Sequence, residues 1–98
     1  MLFLVKFDYT QPDTMSDEEW RQILTKEGEH GNEAIRCGKL EEIYLAAGTN
    51  TAFCLFEVAS AEDLHQCVTT LPLFRYSEIT TYPLLNLGEI KRKSLNLE

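Results

Sequence analysis

Glu27 is the residue of this chain best placed for proton chemistry. The spacing predicts one amphipathic helix over Ser16–Cys37, with non-polar positions at Trp20, Ile23, Leu24, Gly31, Ala34 and Ile35. Glu27 falls at the centre of that stripe, one turn after Ile23 and one turn before Gly31. A carboxylate there loses part of its hydration, which raises its pKa and makes it a better proton acceptor near neutrality. The plainer alternative is a glutamate at the stripe edge that reaches water. His30 follows three residues later on the same helix, close enough to relay protons or tune the acid, or else to face solvent.

The other reactive side chains are less organised. Cys37, Cys54 and Cys67 are three in number and form no CxxC pair. That fits a reduced, cytoplasmic protein rather than a disulfide framework or a zinc site. Cys54 and Cys67 read as small core hydrophobes, and Cys37 has no evident base beside it. His30 and His65 lie on separate helices without ligand spacing, so no metal is expected. His65 reads as a packing or subunit-contact residue. No Gly-rich phosphate loop occurs, and no cofactor is expected.

Positioning such a base falls to six elements. Leu2 to Tyr9 alternates, with Phe3, Val5, Phe7 and Tyr9 on one side, as a strand does. Pro12 and Asp13 mark a loop, Ser16 with Glu19 makes a capping box, and Gly38 stops the long helix. Lys39 to Ala47 reads as a second strand, with Leu40, Glu42, Tyr44 and Ala46 on one face. Gly48, Thr49 and Asn50 turn the chain into a third strand, Thr51 to Val58. Ser60 caps a short helix carrying Leu64, Cys67, Val68 and Leu71, and Pro72 ends it. Arg75 to Tyr82 is the fourth strand, with Pro83 as its stop.

The order βαββαβ predicts an α+β, ferredoxin-like subunit with a four-stranded antiparallel sheet and both helices on one face. The opposite face carries too many apolar side chains to stand in water, so a second copy should pack against it. Residues 1–84 form one domain. The tail, residues 85–98, keeps Leu85, Leu87 and Ile90, which should dock on a neighbouring subunit. Leu97 and Glu98 carry no weight in this reading.

A formal net charge of −7 argues against a nucleic-acid partner, and 98 residues leave little surface for a deep private pocket, so a site should lie between the helices and the sheet or at a subunit boundary. Its only basic cluster is Lys91, Arg92 and Lys93. The apolar start stops at Lys6 and reads as a strand rather than a signal peptide, and no run approaches membrane-spanning length.

The start Met-Leu-Phe-Leu-Val-Lys-Phe, Pro12, Lys26-Glu27, Gly38, Ala47-Gly48 and Phe56-Glu57-Val58 resemble the muconolactone Δ-isomerase family. Leu64-His65, followed by Leu71-Pro72-Leu73-Phe74 and Tyr76, is the most specific part of the match. The resemblance implies a dimeric α+β barrel, often assembled into larger rings, and a role in aromatic catabolism through the β-ketoadipate route. It also implies a cofactor-free double-bond shift in a lactone. A base takes the proton from the ring carbon bearing the carboxymethyl group, and the dienolate is reprotonated two carbons away. Glu27 matches the family's acid-base carboxylate, and one carboxylate serves both steps if the site is dry.

The chain departs from that pattern at Leu40, Glu42, Leu45, Asn50 and Ala52. Family members commonly carry Trp, His, Arg, Tyr and Asn there. Losing a cation at Leu45 and gaining an acid at Glu42 should weaken the hold on a substrate carboxylate. Lys6 and Lys26 remain as anion partners, and Tyr44 or Asn50 could donate to the lactone oxygen. The expected site is therefore Glu27 as base, with Tyr44, Asn50, Phe53 and Lys26 binding substrate. The leading expectation is a cofactor-independent isomerase of a small unsaturated lactone. The alternatives are a non-catalytic barrel that binds an apolar ligand or protein partner, and a cofactor-free monooxygenase.

Overall fold

The computed structural model of the chain describes residues 1–88 and 90. Its elements are β1 (Leu2–Tyr9), α1 (Asp17–Arg36), β2 (Leu40–Leu45), β3 (Thr51–Glu57), α2 (Ala61–Thr69), a short 3-10 turn (Phe74–Tyr76) and β4 (Ser77–Leu84). The strands pair antiparallel in the order β2-β3-β1-β4, so β1 lies inside and β2 and β4 form the edges. This is the α+β arrangement that the element order predicts.

One face of the sheet makes the core. Phe3, Val5 and Phe7 of β1 stand opposite Phe56, Cys54 and Ala52 of β3. Leu64 and Val68 of α2 belong to the same buried cluster, and Ala34 of α1 packs against it. Val5 is 0% and Phe56 2% exposed. Each such side chain contributes about 1.5–3 kcal/mol on burial.

Local chemistry fixes both ends of α1. The Ser16 hydroxyl oxygen accepts the Glu19 backbone N–H at 3.1 Å, and the hydroxyl donates to the Glu19 carboxylate at 3.0 Å. Asp17, Glu18 and Glu19 add negative charge where the helix dipole is positive. At the other end Gly38 takes φ +78°. The Lys39 N–H then reaches the Ala34 carbonyl at 3.1 Å and the Gly38 N–H reaches Ile35 at 3.0 Å, a Schellman closure. It turns the chain directly into β2.

Two expectations are corrected. Simple alternation puts Leu40, Glu42 and Tyr44 on one face of the second strand. The register shifts between Leu40 and Glu42, however. Leu40, Ile43 and Leu45 therefore share the helix side with Phe56, Cys54 and Ala52, while Glu42 and Tyr44 pair with Leu55 and Phe53 on the far side. The extra residue of a bulge inverts the faces beyond it. Second, β4 does not stop before Pro83. Pro83 lies inside the strand, opposite Phe3. An edge strand tolerates the missing N–H.

Of the tail, Leu85 and Leu87 are exposed, and the Ile90 N–H meets the Asn86 carbonyl at 3.1 Å. Residues 89 and 91–98, and with them most of the expected docking segment, lie outside the described residues. No helix among the described residues is long and apolar enough to cross a membrane.

Candidate active site

The apolar stripe of α1 is not packed along its whole length. Trp20 and Gly31 are its only buried residues, and Leu24 remains 37% exposed. Trp20 anchors the first turn between the rings of Tyr9 and Tyr76, at centroid distances of 6.3 and 5.7 Å. At Gly31 the helix comes near β2, where an added Cβ would sit 3.5 Å from the Ile43 methyl. Between those anchors the helix offers Glu27 and Gly28, which do not fill the space beneath. What remains is a cavity of about 550 Å³ between α1, the sheet and the end of α2.

Glu27 borders this cavity and is half-buried. Its Oε1 accepts the backbone N–H of Leu73 at 2.8 Å. Leu73 is itself held: its carbonyl accepts the Tyr76 N–H at 3.0 Å and the Ser77 hydroxyl at 2.7 Å. One carboxylate oxygen is thus fixed by the loop after α2. Burial raises the Glu27 pKa above the ordinary glutamate value; the Leu73 hydrogen bond and the nearby His30 partly offset this. The acid keeps a raised proton affinity while its orientation is set.

His30 also lines the cavity and is exposed. Its Nδ1 lies 3.0 Å from the Lys26 carbonyl, which can only accept, so Nδ1 carries the hydrogen. Nε2 is then the atom left for other partners. Cys54 reaches the cavity from β3, where burial, and secondarily the Glu27 charge, push its thiol up to about 12. Burial also raises Cys67. Cys37 is exposed, with its thiol donating to Glu33 at 3.4 Å. Among the described residues no group of three or more His, Cys, Asp or Glu side chains is arranged to hold a metal ion.

The other expected site residues are not brought to this cavity within one chain. Tyr44 and Phe53 face each other on the far side of the sheet, and the Tyr44 hydroxyl donates to Glu42 at 2.7 Å. That pairing raises the Tyr44 pKa. Asn50 sits in the exposed hairpin, its carbonyl accepting the Tyr9 N–H at 3.1 Å. Lys26 projects from the outer side of α1 beside Arg21 and Gln22. The bulge in β2 is the reason for Tyr44, which it swaps for Ile43 and Leu45 in the cavity wall, whereas Phe53 follows the plain alternation of β3, opposite in face to Cys54 and Phe56. Sequence reasoning did not find the Leu73 donor, because a backbone N–H leaves no residue-type signal. The near signal was Pro72, which ends α2 and starts the segment that carries it.

Known proteins resemble this chain along nearly its whole described length. A family model described as muconolactone delta-isomerase matches residues 1–88. The muconolactone delta-isomerase of Rhodococcus opacus is 33% identical over 87 residues, 89% of this chain and 94% of that protein. Muconolactone delta-isomerase 1 of Acinetobacter lwoffii is 34% identical over 84 residues, 86% of this chain and 88% of that one. A crystal structure of muconolactone isomerase superposes with a TM-score of 0.82 at 31% identity, covering 88% of this chain and 90% of the other. The order βαββαβ, the sheet and these matches agree: the chain belongs to the muconolactone delta-isomerase family.

Proposed function

We propose that this chain is a cofactor-independent isomerase that moves a double bond in an unsaturated lactone, with Glu27 as the base that removes and returns the proton. The observation that carries this reading is the Glu27 carboxylate itself. It is half-buried at an apolar cavity, raised in pKa, and held through one oxygen by the Leu73 N–H. Oε2 is left to take a proton from the ring carbon next to the lactone oxygen. The electrons move through the adjacent double bond toward the carbonyl as a dienolate. The same carboxyl then returns the proton to the carbon beside the carbonyl. Atoms and charge balance without any added reagent.

Dienolate formation asks for a matched base and a donor for the developing oxyanion. Asn32 lines the same cavity and is the side-chain candidate for that donor. The test is deuterium wash-in from D2O into a panel of unsaturated lactones, run with the wild type and Glu27→Gln. Exchange and isomerisation that vanish in the variant support the reading. No exchange in any lactone, or full exchange in the variant, ends it.

Self-association belongs to the same proposal. The far sheet face exposes or half-exposes Leu2, Leu4, Tyr44, Phe53, Leu55 and Tyr82, an apolar surface that a second copy would cover.

A further inference from the structure

The cavity beside Glu27 has a composition that its proton chemistry does not require. Its walls are mainly apolar, and its volume of about 550 Å³ lies in the range that holds drug-sized ligands, roughly 300–1,000 Å³. A lactone ring alone occupies a small part of that. The rest is bounded by Leu24, Ile43, Leu45 and Ala52. Leu24, Ile43 and Leu45 are 37%, 47% and 57% exposed, so apolar surface at the mouth stands ready to be covered by a ligand.

The charged lining groups point the same way. Lys39 is the one lysine or arginine among the described lining residues, and its ammonium already lies 3.6 Å from Asp63. Glu33 is also taken, by Arg36 at 2.8 Å. His30 offers only its Nε2, because Nδ1 is committed to the Lys26 carbonyl. A substrate carboxylate placed here would meet the Glu27 charge in partly desolvated surroundings, with no uncommitted Lys or Arg among those residues to offset it.

We infer that the substrate of this site is an unsaturated lactone bearing an uncharged apolar substituent, an alkyl or aryl group seated against Leu24, Ile43, Leu45 and Ala52, rather than a lactone bearing a carboxylate. The inference rests on the proposed isomerase reading for its chemistry, but not for its binding geometry. The ring lies with its acidic carbon at Glu27 Oε2, and the substituent runs toward the mouth between α1 and β2.

Binding and turnover are therefore measured separately. Saturated γ-lactones cannot react and serve as calorimetric probes: a propyl, butyl, pentyl and hexyl series, and the carboxymethyl lactone. Affinity should rise about fourfold per methylene, the ratio expected for each buried CH2, and the carboxymethyl lactone should bind more weakly than propyl. Ala52→Leu should flatten the chain-length dependence by filling the space, and Leu45→Lys, at an exposed position, should shift preference toward the carboxymethyl lactone. Tighter binding of the carboxymethyl lactone by the wild type, no dependence on chain length, or no binding of any probe overturns the inference. If the alkyl series binds as expected but unsaturated alkyl lactones take up no deuterium, the isomerase reading fails and the apolar-ligand assignment stands.

Discussion

Glu27 carries opposite consequences for activity and for stability. As the base it must be ionised, so turnover should rise with pH, with a midpoint above that of an ordinary glutamate because burial raises its pKa. Stability runs the other way. The folded chain binds the Glu27 proton more tightly than the unfolded chain does. Stability is therefore lost as pH climbs from the unfolded glutamate value through the raised folded one. Glu27→Gln keeps an oxygen for the Leu73 N–H and removes the desolvated charge. It should raise Tm at neutral pH, with the gain fading in acid, while lowering kcat about 10²–10⁴-fold. A variant that is both inactive and destabilised at pH 7 would count against a strained base. Cys54 gives an independent check on the burial of the cavity floor. With its thiol near 12 it should resist iodoacetamide in the native protein at pH 8, whereas exposed Cys37 should be labelled, as read by peptide mass spectrometry.

At the scale of elements, legibility followed the local rules. Ser16, Gly38 and Ser60 are short-range signals, and α1 and α2 begin or end at them as the spacing predicts. Glu27 was legible because a charge on an apolar helical stripe is itself a departure from pattern. β2 was not legible in the same way. Its residues alternate well enough to be called a strand, but a one-residue bulge is set by tertiary pairing with β3, and it decides whether Tyr44 or Ile43 meets α1. The Leu73 contact joins positions 46 residues apart through a backbone group. No periodicity encodes such a contact. The Schellman closure after α1 makes a testable link between these elements, since Gly38 feeds β2 in the register that gives the cavity its wall. Gly38→Ala places a Cβ at φ +78° and should cost about 1–2 kcal/mol in urea unfolding. Gly28→Ala, in open helical surroundings, should instead be neutral or stabilising.

At the scale of the whole molecule, the described residues leave one sheet face unexplained by their own packing. On the helix side, Val5 and Phe56 are fully enclosed and Phe3 is buried. On the far side, Tyr44 is 58% and Tyr82 45% exposed, with Leu4, Phe53 and Leu55 between them in the pairing register. The Lys6 and Asp8 side chains interrupt that surface but lie 3.7 Å apart, which lowers the cost of covering them. A net charge of −7 opposes association at long range, yet salt screens it over about 8–10 Å. A face of this kind needs roughly 800 Å² from each partner to make a stable dimer. Light scattering should therefore give at least twice the mass of one chain at micromolar concentration, and more firmly as salt is raised. Leu55→Glu tests the face directly. Leu55 stands between Leu4 and Glu42 on that side, so a second acid there meets like charge within the chain and again across the interface. The variant should run as a monomer with its Glu27 cavity intact, because Cys54 and Phe56, its neighbours in β3, point the other way. A wild-type monomer at micromolar concentration would remove the dimer. An unchanged oligomer in Leu55→Glu would move the interface to another surface.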